Sequence, residues 1–216
     1  MADATVILII GLLSQACYGA RQLVQWIMTE RYKRVVSPTG YWAFSLVGCC
    51  FMLIYGWLRE DLVILLGQTA SFFVYVLNLI YKGAWRRLPK ALRVALYTVP
   101  AVALVATLVN APHLLDRFIH NPDIPLGLMI YGTLGQMVYL SRYAFQVYIS
   151  VKHGESLLPP VFWAISIVGS LLILVYGIIR RDVVLILGQS AGIAIYARNF
   201  YIGTKLNRLN RQTETT

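Results

Sequence analysis

The sequence predicts an all-α polytopic membrane protein, with seven transmembrane helices in a 3+1+3 arrangement. Three observations carry that reading. Of the 216 residues, 58% are hydrophobic and only 13% charged, and the mean hydropathy is +0.65. Soluble domains are near 45–50% apolar and about 25% charged, and disorder needs low hydrophobicity, so composition excludes both. Next, seven apolar segments approach the roughly 20 residues that cross a hydrocarbon core of about 30 Å. Finally, the chain matches itself when shifted by 121 residues, and an internal repeat constrains the architecture before any motif does.

The spans fall near 4–28, 41–58, 61–81, 91–109, 126–150, 161–179 and 182–203. The first lacks the basic start of a signal peptide, and its apolar run continues past any cleavage point. Ser14-Gln15-Ala16-Cys17 departs from a lipoprotein cleavage box at Gln15. The second span is short, and Tyr41, Trp42 and Trp57 bracket it as interface aromatics would. Pro100 predicts a kink in the fourth span, which neighbouring helices can tolerate. Cys17, Cys49 and Cys50 lie in apolar runs without CxxC spacing and read as small buried hydrophobes, not as a disulfide or metal site.

Gln15–Asn78 aligns with Gln136–Asn199 without a gap, with 22 identities in 64 positions. Each repeat holds three spans, so a directly joined second copy would be inverted. The unmatched fourth span restores the direction and makes the two bundles parallel repeats about an axis along the membrane normal. The resulting divisions are 4–83 for the first triple-helix repeat, 84–124 for the linker helix and its loop, 125–204 for the second repeat, and 205–216 for a basic tail.

The net charge of +10 comes from 19 Lys and Arg against 9 Asp and Glu. With the N-terminus outside, the inner connections hold twelve basic residues, the outer ones four, and the spans three. That asymmetry predicts N-out, C-in, with the C-terminus cytoplasmic. The excess charge is thereby explained without nucleic acid as a partner.

Polar groups within spans are the default candidates for function. Gln15, Tyr18, Gln22 and Gln25 share one face of the first span with Arg21 beside them, and Gln136, Tyr139, Arg142, Tyr143 and Gln146 repeat the pattern on the fifth. Such stripes face either a lined cavity or partner helices through hydrogen bonds that only hold the bundle. Arg21, Arg142 and Arg198 sit toward the cytoplasmic ends of their spans and cannot be discharged by losing a proton. They either snorkel to the interface or form a vestibule for phosphate. Asp61 and Asp182, the only acids found near the spans, begin their helices at the opposite face and are poor partners for Arg198. Arg59-x-Asp61 and Arg180-x-Asp182 read as outer hairpins whose aspartates cap the following helices, or as a gate on that face. Gly48, Gly67, Gly169 and Gly188 permit close helix contact. Gln68 and Gln189 could close on a polar ligand between the bundles, with Tyr75, Asn78, Tyr196 and Asn199 near the cytoplasmic ends. Trp42 and Trp163 complete the expected cavity lining. No P-loop, GxSxG or GxGxxG is present, and His113, His120 and His153 lack ligand spacing. The reading therefore assigns no catalytic residue, no metal and no cofactor.

Arg21-x-x-x-Gln25-Trp26, Glu30-Arg31, Pro38-x-x-x-Trp42-x-x-Ser45, Gly48, Arg59-x-Asp61 and Gly67-Gln68 resemble the lipid A biosynthesis N-terminal domain family. The second copy adds Arg142, Gln146, Pro159-Pro160-x-Phe162-Trp163, Asp182, Gly188-Gln189 and Tyr196-Ala-Arg198-Asn199, close to the family's Tyr-x-Arg-Asn ending. The first copy has Leu77 where that arginine should stand. The family is related to PQ-loop and SWEET-type proteins, which include sugar carriers of 3+1+3 build. Here Gly-Gln stands where that group usually has Pro-Gln.

The resemblance implies a bacterial inner-membrane protein of lipid A or envelope glycolipid biosynthesis. The family takes its name from its attachment to lipid-A-disaccharide synthase in some proteins, but this sequence shows two membrane domains and no glycosyltransferase domain, so catalysis is not expected of it. The leading expectation is a flippase-like carrier binding an anionic, lipid-linked saccharide. In it Arg21, Arg142 and Arg198 hold phosphate, and the Gln, Asn and Tyr pairs meet sugar hydroxyls. The alternatives are a non-catalytic subunit partnering a glycosyltransferase and a small-sugar transporter.

Overall fold

The computed structural model describes residues 3–32, 38–91, 119–153 and 158–214, with positions 93, 94, 98 and 116. Among the described residues it is helical, with six long helices: α1 (Ala4–Tyr32), α2 (Thr39–Leu58), α3 (Leu62–Tyr81), α4 (Leu126–His153), α5 (Pro160–Ile179) and α6 (Val183–Glu214). A single 3-10 turn, Trp85–Arg87, follows α3. Of the expected linker helix at 91–109, only positions 91, 93, 94 and 98 are described, each helical, and the rest, with Pro100, lies outside the described residues.

Five of the six helices are long and apolar enough to cross a membrane. The exception is α4, which is long enough but has Gln136, Ser141, Arg142 and Gln146 among its apolar residues. The first and last helices run beyond the expected spans, to Tyr32 and Glu214: neither proline nor glycine stands at the predicted end of the first, and the last continues through Gly203.

Each repeat forms a three-helix unit in which the middle helix packs on both others, α2 on α1 and α3, α5 on α4 and α6. Three-residue connections at 59–61 and 180–182 turn the chain back on itself. Both turns are built alike: the backbone is left-handed at Glu60 (φ 50°) and at Arg181 (φ 51°). The next residue caps the helix. Asp61 accepts from the Ile64 amide at 3.1 Å and Asp182 from the Leu185 amide at 3.0 Å, satisfying donors that a helix start leaves free. The helix-cap reading of these aspartates therefore holds.

The two units meet where α3 packs on α4 and α1 on α6. The distribution of polarity is inverted relative to a soluble bundle. Leu23, Ile27, Phe73, Leu134, Met137, Val168 and Leu187 lie exposed on the outside, while Arg21, Gln25, Arg142, Gln146 and Asn199 are buried. An apolar exterior around a polar interior suits a hydrocarbon solvent. Tyr41 and Trp42, expected at a membrane interface, are instead fully buried at 2% and 0% exposure, whereas Trp57 is exposed. Tyr41 meets Trp42 edge to face, with ring centroids 4.9 Å apart, and Phe162 repeats this against Trp163 at 5.0 Å.

Candidate functional site

The seam between the repeats is organised in layers. At the hairpin end, Tyr55 donates to Asp182 and Tyr176 to Asp61, both at 2.8 Å. Arg180 Nε lies 3.3 Å from Asp61 and Arg59 Nε 3.9 Å from Asp182. Each aspartate caps its own repeat and is bound by the other. The segment before α4 covers this layer: Asn121 donates to the Glu60 carbonyl at 2.9 Å, and Asp123 approaches Arg180 at 3.8 Å. The hairpin residues Arg59, Asp61, Arg180 and Asp182 thus form one crossed ion-pair cluster.

Below it, Gly11 fits against Tyr55 and Val184, and Gly132 against Tyr176 and Val63. A Cβ at Gly67 would collide with the Gln136 amide, and one at Gly188 with the Gln15 amide. These glycines let α3 and α4, and α6 and α1, close on one another. Within each repeat, Gly48 accommodates the Tyr18 ring and Gly169 the Tyr139 backbone.

A cavity of about 40 Å³ lies in the middle, lined by Gln15, Tyr18, Arg21, Gln22, Gln68, Tyr75, Gln136, Tyr139, Gln189 and Tyr196, with Met52, Ile64, Ile173 and Leu185 toward the hairpin end. At about 10–15 Å³ per water it has room for roughly three. Tyr18 donates to Gln68 at 2.7 Å across this space.

The cavity floor is a layer of arginine and tyrosine. Arg21 donates to Ser45 at 3.2 Å, Tyr75 at 3.3 Å and Tyr196 at 3.5 Å. Arg142 donates to Ser166 at 3.2 Å and Tyr143 at 2.8 Å. The serines are aimed by back-bonding, Ser45 to the Tyr41 carbonyl and Ser166 to that of Phe162. Tyr75 and Tyr143 share a hydrogen bond of 2.8 Å, as do Tyr139 and Tyr196. The Arg142 guanidinium lies 3.4 Å from the Tyr139 ring centroid and that of Arg21 lies 4.6 Å from Tyr18, which is cation–π geometry. Trp42 and Trp163 back this layer through Tyr75 and Tyr196, at 6.1 and 5.8 Å between ring centroids, and do not line the cavity.

Past the arginines, an amide layer closes the seam. Asn199 donates to Gln25 at 3.1 Å, and Gln146 to Asn78 at 3.2 Å. Gln25 and Gln146 also donate to Thr29 and Ser150 one turn on, at 3.2 and 3.0 Å. Arg198 stands apart from the other two arginines. It is paired with Glu30 and stacked over Trp26, 4.7 Å from the ring centroid. Sequence reasoning overlooked Glu30 as an acid within reach. α1 runs four residues further than the expected span and carries Glu30 to Arg198 of α6. The structure thus brings all the sequence-named ligand candidates to one seam. It joins to them Tyr143 of the polar stripe and adds Ser45, Ser166, Tyr55 and Tyr176, tyrosines and serines at equivalent repeat positions visible in the self-alignment.

Among the described residues no cluster of His, Cys, Asp or Glu could hold a metal ion, and Cys17, Cys49 and Cys50 are free thiols.

No solved structure matches the chain. Several curated proteins do, each called lipid-A-disaccharide synthase. That of Chlamydia abortus is 28% identical over 93% of this chain and 34% of its own length. That of Chlamydia caviae is 27% identical over 93% of this chain and 33% of its own length. That of Chlamydia pneumoniae is 24% identical over 85% of this chain and 31% of its own. The chain therefore spans about a third of the length of the relatives it matches. The model of the Lipid A Biosynthesis N-terminal domain matches twice, over residues 10–80 and 131–201, which are the two units that meet at the layered seam. The chain belongs to the Lipid A Biosynthesis N-terminal domain family and carries that domain in two copies.

Proposed function

We propose that this protein sits in the bacterial inner membrane and moves an anionic, lipid-linked saccharide of envelope glycolipid synthesis between its two triple-helix units. In this reading a linker helix near 91–109 completes a 3+1+3 bundle, with the N-terminus outside and the C-terminus cytoplasmic. The observation that carries the proposal is the polar cavity on the axis between the repeats, with Gln15, Tyr18, Gln68 and Tyr75 facing their equivalents Gln136, Tyr139, Gln189 and Tyr196. Polar side chains are rarely held at that depth in a membrane bundle without a polar guest or water. Tyrosine and glutamine offer hydroxyl and amide groups for sugar hydroxyls, and the arginines supply positive charge for phosphate.

The volume of about 40 Å³ is too small for a saccharide. The hydrogen-bonded layers at Asp61/Asp182 and at Gln25/Gln146 close it from both ends. In the proposed cycle each layer opens in turn as one repeat rocks against the other. The test is reconstitution of the full chain in liposomes, with flip of a labelled lipid-linked sugar read by reagent accessibility. Flip accelerated by the protein, and lost on Gln68→Leu with Gln189→Leu, supports the proposal; a rate equal to that of empty liposomes sinks it.

A second reading has its own observation. The relatives that match are named lipid-A-disaccharide synthase, and the matched region is about a third of each. On that reading the chain is a non-catalytic membrane subunit that presents lipid substrate to a separate glycosyltransferase. Co-purification with such an enzyme, and loss of its activity when this chain is removed, would favour it.

A further inference from the structure

We infer that the arginine layer is a binding site for one doubly ionised phosphoryl group, a phosphate monoester, held between the repeats by Arg21 and Arg142. The inference rests on the reading above of a phosphate-bearing ligand and narrows its class.

The argument is one of charge balance. Arg21 and Arg142 are buried to 3% and 0% exposure. A cation that deep needs compensating charge or a full set of hydrogen bonds. Neither has a carboxylate partner among the described ion pairs. Asp61 and Asp182 are held by Arg180 and Arg59 at the hairpin end, and Glu30 by Arg198 at the other. About 13 Å of helix rise separates Glu30 from Arg21. The hydrogen-bond partners of both guanidiniums are neutral hydroxyls, and the Nε of each is buried with no partner. The two cations share one tyrosine cluster: Arg21 donates to Tyr196 at 3.5 Å, and Arg142 lies 5.7 Å from the same ring's centroid. Among the described residues the layer thus holds two like charges and no carboxylate.

A ligand of charge −2 balances the layer, whereas a phosphodiester, with one charge, leaves half of it uncompensated. Phosphoryl oxygens also match the forked donors of arginine and accept from tyrosine hydroxyls. The cavity above Arg21, at about 40 Å³, is lined by Arg21 with tyrosine and glutamine donors, and Arg142 lies directly behind its Tyr139 wall, 3.4 Å from that ring's centroid. A neutral sugar would occupy it without answering the charge.

Charge state gives the test. A monoester gains its second charge near pH 6, so its dianionic fraction rises about tenfold between pH 5 and 7.5, whereas a diester does not change. The groups facing the pair are Tyr18 on α1, Tyr41 on α2, Tyr75 on α3, Tyr139 and Tyr143 on α4 and Tyr196 on α6, with Phe162 and Ser166 on α5; Cys49 lies beside Tyr18. Any titration of these phenols or the thiol acts on monoester and diester alike, so phosphatidylglycerol measured over the same pH range serves as the reference.

The full chain in neutral phosphatidylcholine nanodiscs is titrated with glucose 1-phosphate, phosphatidic acid or phosphatidylglycerol, and binding is followed by tryptophan fluorescence. At least one monoester should bind ten or more times tighter than phosphatidylglycerol. Glucose 1-phosphate should also strengthen about tenfold from pH 5 to 7.5 if it is the ligand that binds. Binding of phosphatidic acid alone marks a lipid headgroup as the ligand; binding of glucose 1-phosphate alone marks a soluble phosphate. Arg21→Gln and Arg142→Gln should each weaken binding at least tenfold, and Arg181→Gln, on an exposed hairpin arginine, should not. Equal affinity for the diester, or no monoester binding, overturns the inference, and the wild-type comparison decides even if the arginine variants fail to fold. Tight monoester binding without lipid flip removes the carrier reading alone; flip without monoester preference removes this inference alone.

Discussion

Tyr55 and Tyr176 each end on a buried carboxylate of the opposite repeat, at the same distance of 2.8 Å. A hydrogen bond to a buried charge contributes about 1.5–3 kcal/mol. Tyr176→Phe and Tyr55→Phe should therefore each destabilise the protein by that order, measured as a lower midpoint of thermal unfolding in detergent, and an unchanged midpoint would show that the crossed bonds do not hold the repeats. Glycine supplies a sharper contrast. A Cβ on Gly169 would stand 2.6 Å from the Tyr139 Cα, whereas at Gly19 nothing lies within 4 Å. Gly169→Ala should cost about 1–3 kcal/mol through displacement of α5 from α4. Gly19→Ala should cost nothing and gain up to about 1 kcal/mol in helix propensity.

At the level of elements, Asp61 has two separable tasks. It caps α3 through the Ile64 amide and binds Tyr176 and Arg180 of the other repeat. Asparagine caps about as well as aspartate but carries no charge. Asp61→Asn should keep α3 capped while taking from Arg180, whose side chain is 2% exposed, its carboxylate at 3.3 Å and leaving it Asp123 at 3.8 Å and the Arg59 carbonyl; the loss should stay below the roughly 3–5 kcal/mol of a buried pair broken outright. Asp61→Ala should lose about 1 kcal/mol more, the value of the cap. Equal unfolding midpoints for the two variants would mean that the cap contributes nothing. The Glu30–Arg198 pair is half-exposed, so Glu30→Gln should change stability by less than about 1 kcal/mol.

Hydropathy places the helices because it is a property of each segment alone. The predicted spans at 61–81 and 161–179 fall within a residue of α3 and α5. Contacts between segments are another matter. Nothing in the spacing of Arg59-x-Asp61 says that Asp61 answers Arg180 instead of its own neighbour. Trp42 was misread because an aromatic at the start of a span suits a membrane interface and a tightly packed helix end equally well. The polar stripe was legible, since burial of the same positions in both copies follows from the repeat, but its division into cavity, charge layer and amide layer depends on helix register across the seam.

On the scale of the molecule, the contacts that join the two units are reciprocal. Asp61, Asp182, Gln25 and Gln146 all find partners in the other copy. Neither half satisfies all of its own buried polar groups, and unpaired polar groups are costly inside a membrane. A chain broken after residue 110 should therefore reassemble. The two pieces, co-expressed, should purify together on a tag carried by one, and each alone should be degraded or aggregate. A stable, folded single half would contradict the reciprocity.

The same reciprocity bears on how a guest would sit. A site with two-fold pseudo-symmetry offers any ligand lacking that symmetry two superimposable poses, related by a half-turn, of nearly equal energy. This degeneracy is lifted only where the copies diverge. Gln22 on α1 stands where α4 has Tyr143, which accepts from Arg142 and shares a hydrogen bond with Tyr75. Glu30 and Arg198 stand where the other copy has Val151 and Leu77, both exposed. Such mismatched positions, with Met52/Ile173 and Ile64/Leu185 in the cavity lining, distinguish the two poses, so the polarity of a bound molecule is written in the places where the duplication has drifted.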